Sequence, residues 1–279
     1  MVIIVQAPAS TANLGPGFDV AGFAVARYVW VTDSADAPLP DGAAQWDKCG
    51  PEHIARIAYE KAGGTGDIWF CFELEPGRGL GFSAAARAAG AVLARLTQGD
   101  SAPDAQRLAY PVVAGIEGHG DNAAPAVFGG LHVIAGDLAH RIDGQLPGNY
   151  LAWVPTKLST PTDESRLQLP NQVDRAEAVF NLGRFGLLMA AVYENRPDLL
   201  ALATQDQLHQ PFRLEQCGPA RRAITIALEA GASAAWLSGS GPTVFVVAPP
   251  SMVEAVVEAL PADGQVLRLL PDNTGAVAV

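Results

Sequence analysis

The sequence predicts an α+β fold in two lobes, and three observations predict it. Strand-like and helix-like runs alternate along the chain without a strict strand–helix–strand repeat. A polar stretch carrying Asp, Gly and Pro, residues 137–149, separates a first half from a second that begins again with its own strand. The chain has 279 residues, enough for two lobes that each bury a core, placed at 1–148 and 149–279.

The elements follow in order. Residues 2–5 are β-branched and read as a strand, and Asn13-Leu-Gly-Pro-Gly-Phe-Asp19 reads as a sharp turn. Residues 23–32 are strand-like, and 33–50, rich in Asp, Pro, Gly and Ala, read as loop. Residues 51–62 set Ile54, Ile57 and Ala58 on one helical face, and 68–74 read as a strand. A glycine loop over 75–83 then runs into an alanine-dominated helix, with Ser83 at the N-cap position and Gly99 to close it. A helix over 103–117 is expected to bend or break at Pro111. Residues 118–125 read as loop, with Asn122 capping a short helix after it. Strands follow at 131–135 and 150–155, then helices at 174–194, 197–208 and 218–230. The strands 234–237 and 243–247 flank the loop Ser238-Gly-Ser-Gly-Pro242, and a helix near 251–260 and a strand near 265–269 end the chain.

Composition excludes several classes. Eighteen basic against twenty-nine acidic residues leave a net charge of −11. Such a chain is poorly suited to neutralising nucleic-acid phosphates or an anionic membrane surface. Cys49, Cys71 and Cys217 are far apart, so neither a zinc knuckle nor a redox dithiol is indicated. A sparse, odd set of cysteines fits a reducing compartment, and no apolar run reaches the length of a membrane span. The expectation is a cytoplasmic protein.

Four segments carry candidate chemistry. In Gly77-Arg-Gly-Leu-Gly-Phe-Ser83, glycines let backbone N–H groups converge at a helix start, which makes an anion site suited to a nucleotide's phosphates. The plainer reading is a tight strand-to-helix connection packed through its glycines. No Lys-Ser/Thr pair follows, so it is not a Walker A loop. Glu117-Gly-His-Gly-Asp-Asn122 packs two carboxylates, an imidazole and an amide into one loop, either to meet polar ligands or simply as a capped loop. Asn13 and Asp19 can present side chains from the first turn. Arg213, in Leu208-His-Gln-Pro-Phe-Arg213, is either a carboxylate fork beyond a helix stopped by Pro211 or a structural or surface charge.

Taken in this order, the segments resemble the GHMP kinases. Residues 7–19 are similar to an opening motif of that family, 77–86 to its ATP loop, and Leu237-Ser-Gly-Ser-Gly-Pro-Thr243 to its third motif. Residues 117–126 with Gly129, Gly130 and Leu131, then 178–184 and 208–213, resemble the members that phosphorylate L-homoserine. The resemblance spans almost the whole chain. It implies an N-terminal lobe like ribosomal protein S5 domain 2 and a ferredoxin-like C-terminal lobe, with the active site between them. It implies ATP, Mg²⁺ and L-homoserine, with no nucleic acid or membrane partner, and a possible homodimer. Gly77, Arg78, Gly79, Leu80, Gly81, Phe82, Ser83 and Ala84 would then hold the nucleotide. Ser83 and Glu117 would hold Mg²⁺ and, with Asn122 and Arg166, serve catalysis. Asn13, Asp19, His119, Asn122, Arg166 and Arg213 would surround the substrate, with Thr160 or Thr162 beside them. Another small alcohol, or ligand binding without catalysis, is the alternative. Three residues depart from the family pattern: Phe82 where a serine is usual, Arg87 where a small residue is usual, and His53 where Asn often lies near the base. The Phe82 ring either crowds the phosphate loop or packs between the lobes.

Overall fold

The computed structural model describes residues 2–73, 75–156, 166–167 and 169–279. Two antiparallel sheets organise it. The first contains Ile4–Ala12 (β1), Ala21–Thr32 (β2), Asp47–Lys48 (β3), Trp69–Phe72 (β4), Leu131–Ala135 (β5), Leu138–Ile142 (β6) and Val277–Ala278 (β11). Its main path runs β11-β1-β2-β4-β3, while β5 pairs with β2 and β6. The second contains Asn149–Pro155 (β7), Ala234–Leu237 (β8), Val244–Ala248 (β9) and Gly264–Leu269 (β10), in the order β10-β7-β9-β8. With helices between β7 and β8 and between β9 and β10, this is the ferredoxin-like arrangement.

β1 is longer than its β-branched start predicts and runs to the turn at Asn13. Pro8 lies inside it without breaking the pairing; the register with β2 shifts between Pro8 and Ala9, a bulge that absorbs the missing N–H. Helices Ile54–Lys61 (α1), Phe82–Thr97 (α2), Ala102–Glu117 (α3) and Ala123–Phe128 (α4) pack with this sheet. Alanine lets α2 sit at the centre: Ala84, Ala85, Ala86, Ala88, Ala89, Ala91 and Ala94 are all buried. A Cβ on Gly90 would stand 2.2 Å from the Ala55 carbonyl oxygen, so α1 and α2 touch backbone to backbone.

In the second sheet the two-residue strand period divides two cores. Leu151, Trp153, Leu237, Val244 and Val246 face Gly218–Glu229 (α8) and Val253–Ala259 (α9). Tyr150, Ala152, Trp236, Phe245 and Val247 face the other way, onto Arg175–Tyr193 (α5) and onto Ala9, Leu14, Phe23 and Leu80 of the first lobe. This second core joins the lobes. Trp236 Nε1 adds a buried hydrogen bond to Thr11 Oγ1 at 3.0 Å.

Several expectations are corrected. The polar stretch 137–149 contains β6, which pairs with β5 in the first sheet, and β11 returns the C-terminus to that sheet beside β1. α3 runs unbroken through Pro111, which is on its exposed face where the orphaned carbonyl meets solvent. The 197–208 helix is reduced to a 3₁₀ turn and Leu200–Ala203 (α6). The reason is Asp206: its carboxylate accepts from the N–H groups of Leu208, His209 and Gln210, ending one helix and starting Gln210–Gln216 (α7). Pro211 therefore opens a helix rather than stopping one, as Pro does in a first turn. Among the described residues no helix is long and apolar enough to cross a membrane.

Candidate active site

The glycine loop leaves β4 and enters α2 with Gly77, Gly79 and Gly81 all in left-handed conformations, at φ 72°, 79° and 68°. Gly81 is the N-cap, so α2 starts at Phe82 and Ser83 lies one residue inside it, not at the cap. Two glycines are required by contact. A Cβ on Gly79 would stand 2.6 Å from the carbonyl oxygens of Ser238 and Gly241, and one on Gly81 would stand 2.1 Å from Ser10 Oγ. Ser238 Oγ donates to the Gly79 carbonyl at 2.6 Å. The loop is thus a packed connection, and it also forms one wall of a cleft of about 310 Å³ at the positive end of a 16-residue helix.

Of the residues expected at the nucleotide, Gly77, Gly79, Gly81, Phe82, Ser83 and Ala84 line this cleft. Leu80 does not: it is 2% exposed in the interlobe core. Nor does Arg78, whose guanidinium bonds Glu75 and the Pro155 carbonyl outside the cleft. The Phe82 ring stands edge-on to Phe70 and Phe72, at 5.9 and 5.6 Å between centroids, packing beside β4 while still forming cleft wall. His53 caps α1, with Nδ1 accepting from Ala55 N at 3.2 Å, and its ring lies tilted against Phe70, 4.7 Å between centroids.

The opposite wall comes from three distant segments. In the first turn Asn13, Leu14 and Asp19 all hold positive φ, a cluster of strained non-glycine residues of the kind found at functional sites. The Asn13 side chain fixes that turn: Oδ1 accepts from Asp19 N at 3.1 Å and Nδ2 donates to Gly239 O at 3.1 Å. Asn13 is therefore held by the protein on both of its amide atoms. Asp19 is gripped by Arg166 through two parallel bonds of 2.7 and 2.9 Å. Arg213 is 4% exposed, donates to Gly239 O at 3.1 Å and to His209 Nδ1 at 3.2 Å. Burial, then the charge of Arg166, pushes its pKa down to about 10. Phe18 lies beneath both guanidinium groups, 5.6 Å from Arg166 and 5.4 Å from Arg213.

His209 explains the 208–213 segment. Its Nε2 donates to Gly15 O at 2.9 Å, which leaves Nδ1 to accept from Arg213. Complete burial, with Arg213 alongside, lowers its pKa and keeps the ring neutral. Asn181, from the 178–184 segment, donates to Pro16 O and to Asp206. These residues brace the opening turn from behind rather than lining the cleft.

The polar loop after α3 completes the site. Gly118 turns the chain at φ 79°. His119 Nδ1 and Asp121 Oδ1 are 2.5 Å apart; burial opposes charge on the ring, but the Asp121 hydrogen bond and carboxylate outweigh it and raise the His119 pKa. Asn122 occupies the N-cap position of α4 without a side-chain cap bond; its Oδ1 instead accepts from Ser10 Oγ at 2.9 Å.

Glu117 and Ser83 do meet, as a metal site would require. Both carry oxygen donors of the type Mg²⁺ takes. Their arrangement does not fit an ion, because Arg87 already joins them: Nη1 donates to Ser83 Oγ at 2.6 Å and, in an ion pair, to Glu117 Oε1. The expected metal pair holds a cation of the protein's own. Asp121, Gly239 and Ser240, which line the cleft, and Phe18, which underlies Arg166 and Arg213, were missed as site residues, although Asp121 lay in the dense polar loop and Gly239 and Ser240 in the third motif. Thr160 and Thr162 lie outside the described residues.

Comparison with known proteins agrees with this fold. The family model "GHMP kinases C terminal" matches residues 177–266. A homoserine kinase from Caldanaerobacter subterraneus subsp. tengcongensis is 36% identical, covering 92% of this chain and 86% of its own. A homoserine kinase from Moorella thermoacetica is 33% identical and covers 99% of each chain. Among solved structures, homoserine kinase from Cytophaga hutchinsonii superposes with a TM-score of 0.82 at 24% identity over 100% of this chain and 97% of that one. Methanococcus jannaschii mevalonate kinase gives 0.68 at 13% identity over 97% and 98%. At those identities the two structures establish the fold. The family model and the full-length relatives together define a kinase of the GHMP class. Within that class, the chain belongs to the homoserine kinase family.

Proposed function

We propose that the chain transfers the γ-phosphoryl group of ATP to the side-chain hydroxyl of L-homoserine, yielding ADP and O-phospho-L-homoserine, the precursor of threonine. The observation that carries this reading is one cleft in which the glycine loop faces the Asp19–Arg166–Arg213 cluster. The loop end suits a polyphosphate, through converging amides and the helix terminus. The cluster suits a zwitterion: the substrate ammonium lies beside Asp19 and its carboxylate beside Arg166 and Arg213, antiparallel to the existing ion pair. Asn122 and His119, between the two ends, face the hydroxyl. That hydroxyl oxygen bonds to the γ-phosphorus as the bond to the β–γ bridging oxygen breaks and its electron pair leaves with ADP. The hydroxyl proton passes to an oxygen of the transferred group. The transfer is read without a Lys–Asp base pair, since no lysine lines the cleft among the described residues; positioning and charge carry the rate. Mg²⁺ arrives as the counter-ion of ATP.

The test is a coupled ADP-release assay over homoserine, mevalonate, shikimate and galactose. Homoserine should lead in kcat/KM by about 100-fold or more, since a site built to pair charges rejects alcohols lacking them. A higher kcat/KM for any of the others overturns the reading.

Residues 1–148 serve as the nucleotide lobe and 149–279 as the second, with β11 lent back to the first sheet. The three thiols are free, which supports a cytoplasmic site of action. Val179 and Leu182 on α5, 61% and 72% exposed, support pairing of two copies, which sedimentation would test.

A further inference from the structure

We propose that Arg87 is the cation of the phosphate site. Its guanidinium, seated on Ser83 and Glu117, binds the nucleotide's terminal phosphate oxygens directly and takes over a role otherwise given to a protein-held metal ion. The inference rests on the reading of the glycine loop as the nucleotide site.

The placement follows from the sequence and the fold. Ser83 and Arg87 are four residues apart, on one face of α2. α3 ends at Glu117, which brings its carboxylate to the same point. The surrounding positions on α2 are alanines, which pack closely and leave room beside the glycine loop for one long side chain. Arg87 and Glu117 are only 18% and 11% exposed, so water screens their attraction weakly.

The guanidinium is also unsaturated. Nη1 makes both bonds, Nε is buried without a hydrogen-bond partner, and Nη2 makes no hydrogen bond among the described residues. Unpaired donors on a guanidinium this little exposed call for an acceptor, and phosphate oxygens match the planar fork of Arg. Ser83, one of its partners, opens onto the cleft at the first turn of α2, where the proposed nucleotide site would hold the terminal phosphates. Glu117 by itself would repel a polyphosphate; paired with Arg87 it orients a positive donor instead.

The experiment is calorimetric titration of the full chain with ATP, once in excess EDTA and once with saturating Mg²⁺. Wild type, Arg87→Ala and Arg87→Lys are compared, each checked for folding by its melting temperature. Wild type should bind metal-free ATP within about fivefold of its affinity for Mg·ATP, because the neutralising charge is built in. Arg87→Ala should lose roughly tenfold or more toward metal-free ATP, and less toward Mg·ATP, since Ser83 and Glu117 are released to take an ion. Arg87→Lys should recover part of the metal-free binding. A second readout is Mn²⁺ alone, followed by electron paramagnetic resonance without nucleotide: Arg87→Ala should gain a site that wild type lacks, and Glu117→Gln in that background should abolish it. Metal-free ATP binding that is equal in wild type and Arg87→Ala overturns the proposal, as does an equally tight Mn²⁺ site in both. If wild type binds neither form of ATP, the nucleotide-site reading fails with it; if it binds only Mg·ATP, the role of Arg87 alone fails.

Discussion

The Arg166 guanidinium and the Asp19 carboxylate meet as a two-point fork, at 2.7 and 2.9 Å, although 147 positions separate them in the chain. Their side chains keep 35% and 30% of their exposure, so the pair stands open at the cleft. It is a fixed dipole in the cleft wall, and the proposed reaction would align its zwitterionic substrate against it.

Asp19→Asn removes the negative end of that dipole. KM for homoserine should rise by about 10- to 100-fold, while ATP affinity changes by less than about threefold. Steady-state kinetics together with an ATP titration measure both. An unchanged KM removes Asp19 from the substrate site.

Arg213 serves two purposes that its variants separate. It braces the Gly239 carbonyl and His209, and it charges the cleft. Arg213→Leu should cost about 1–3 kcal/mol of stability, because buried acceptors lose their donor, and should raise KM for homoserine as well. Arg213→Lys should recover only part of each effect, since a point charge lacks the fork. Lower melting temperatures with wild-type KM in both variants assign Arg213 a structural role alone.

Away from the site, His132 sets a pH dependence of stability. It is 2% exposed, and burial, followed by the charge of Arg141, pushes its pKa down to about 4. The unfolded chain takes up the proton near pH 6.5, before the folded chain does. The stability due to the neutral ring is therefore complete above about 6.5, falls as pH drops, and is spent near 4, with an upper bound of about 3 kcal/mol. Urea denaturation at pH 7 and at pH 4.5 should show a larger drop for wild type than for His132→Phe. Equal drops overturn the assignment.

Two glycines give a matched comparison. Gly79 has φ 79° and its added Cβ would meet two carbonyl oxygens at 2.6 Å; Gly99 has φ 91° and nothing within 4 Å. Gly99→Ala should lose about 1 kcal/mol and keep nucleotide binding. Gly79→Ala should separate the glycine loop from the 238–242 loop and abolish binding. Equal ATP affinity in the two variants would show that the loop contact does not shape the site.

Legibility in the sequence followed distance along the chain. The glycine loop, the 117–122 loop and the turn at 13–19 were readable because each concentrates glycines and polar groups within a few residues. Ser83 was misplaced as a cap because the choice between Gly81 and Ser83 depends on a left-handed Gly81, which the Ser10 contact enforces from β1. The 197–208 segment was read as one helix because Asp206 caps it only through the path of the backbone that follows.

The sequence by itself determined the two-lobed α+β fold and the places of the glycine loop, the 13–19 turn and the 117–122 loop, which the fold brings to one cleft. It did so because periodicity, helix propensity and turn chemistry are local properties. The tertiary structure alone decided which charges pair. It set Arg166 on Asp19, seated Arg87 on Ser83 and Glu117, and carried β11 back to β1. Partner choice between ions depends on separation and on the water excluded around them, and both exist only once the lobes have closed on a common core.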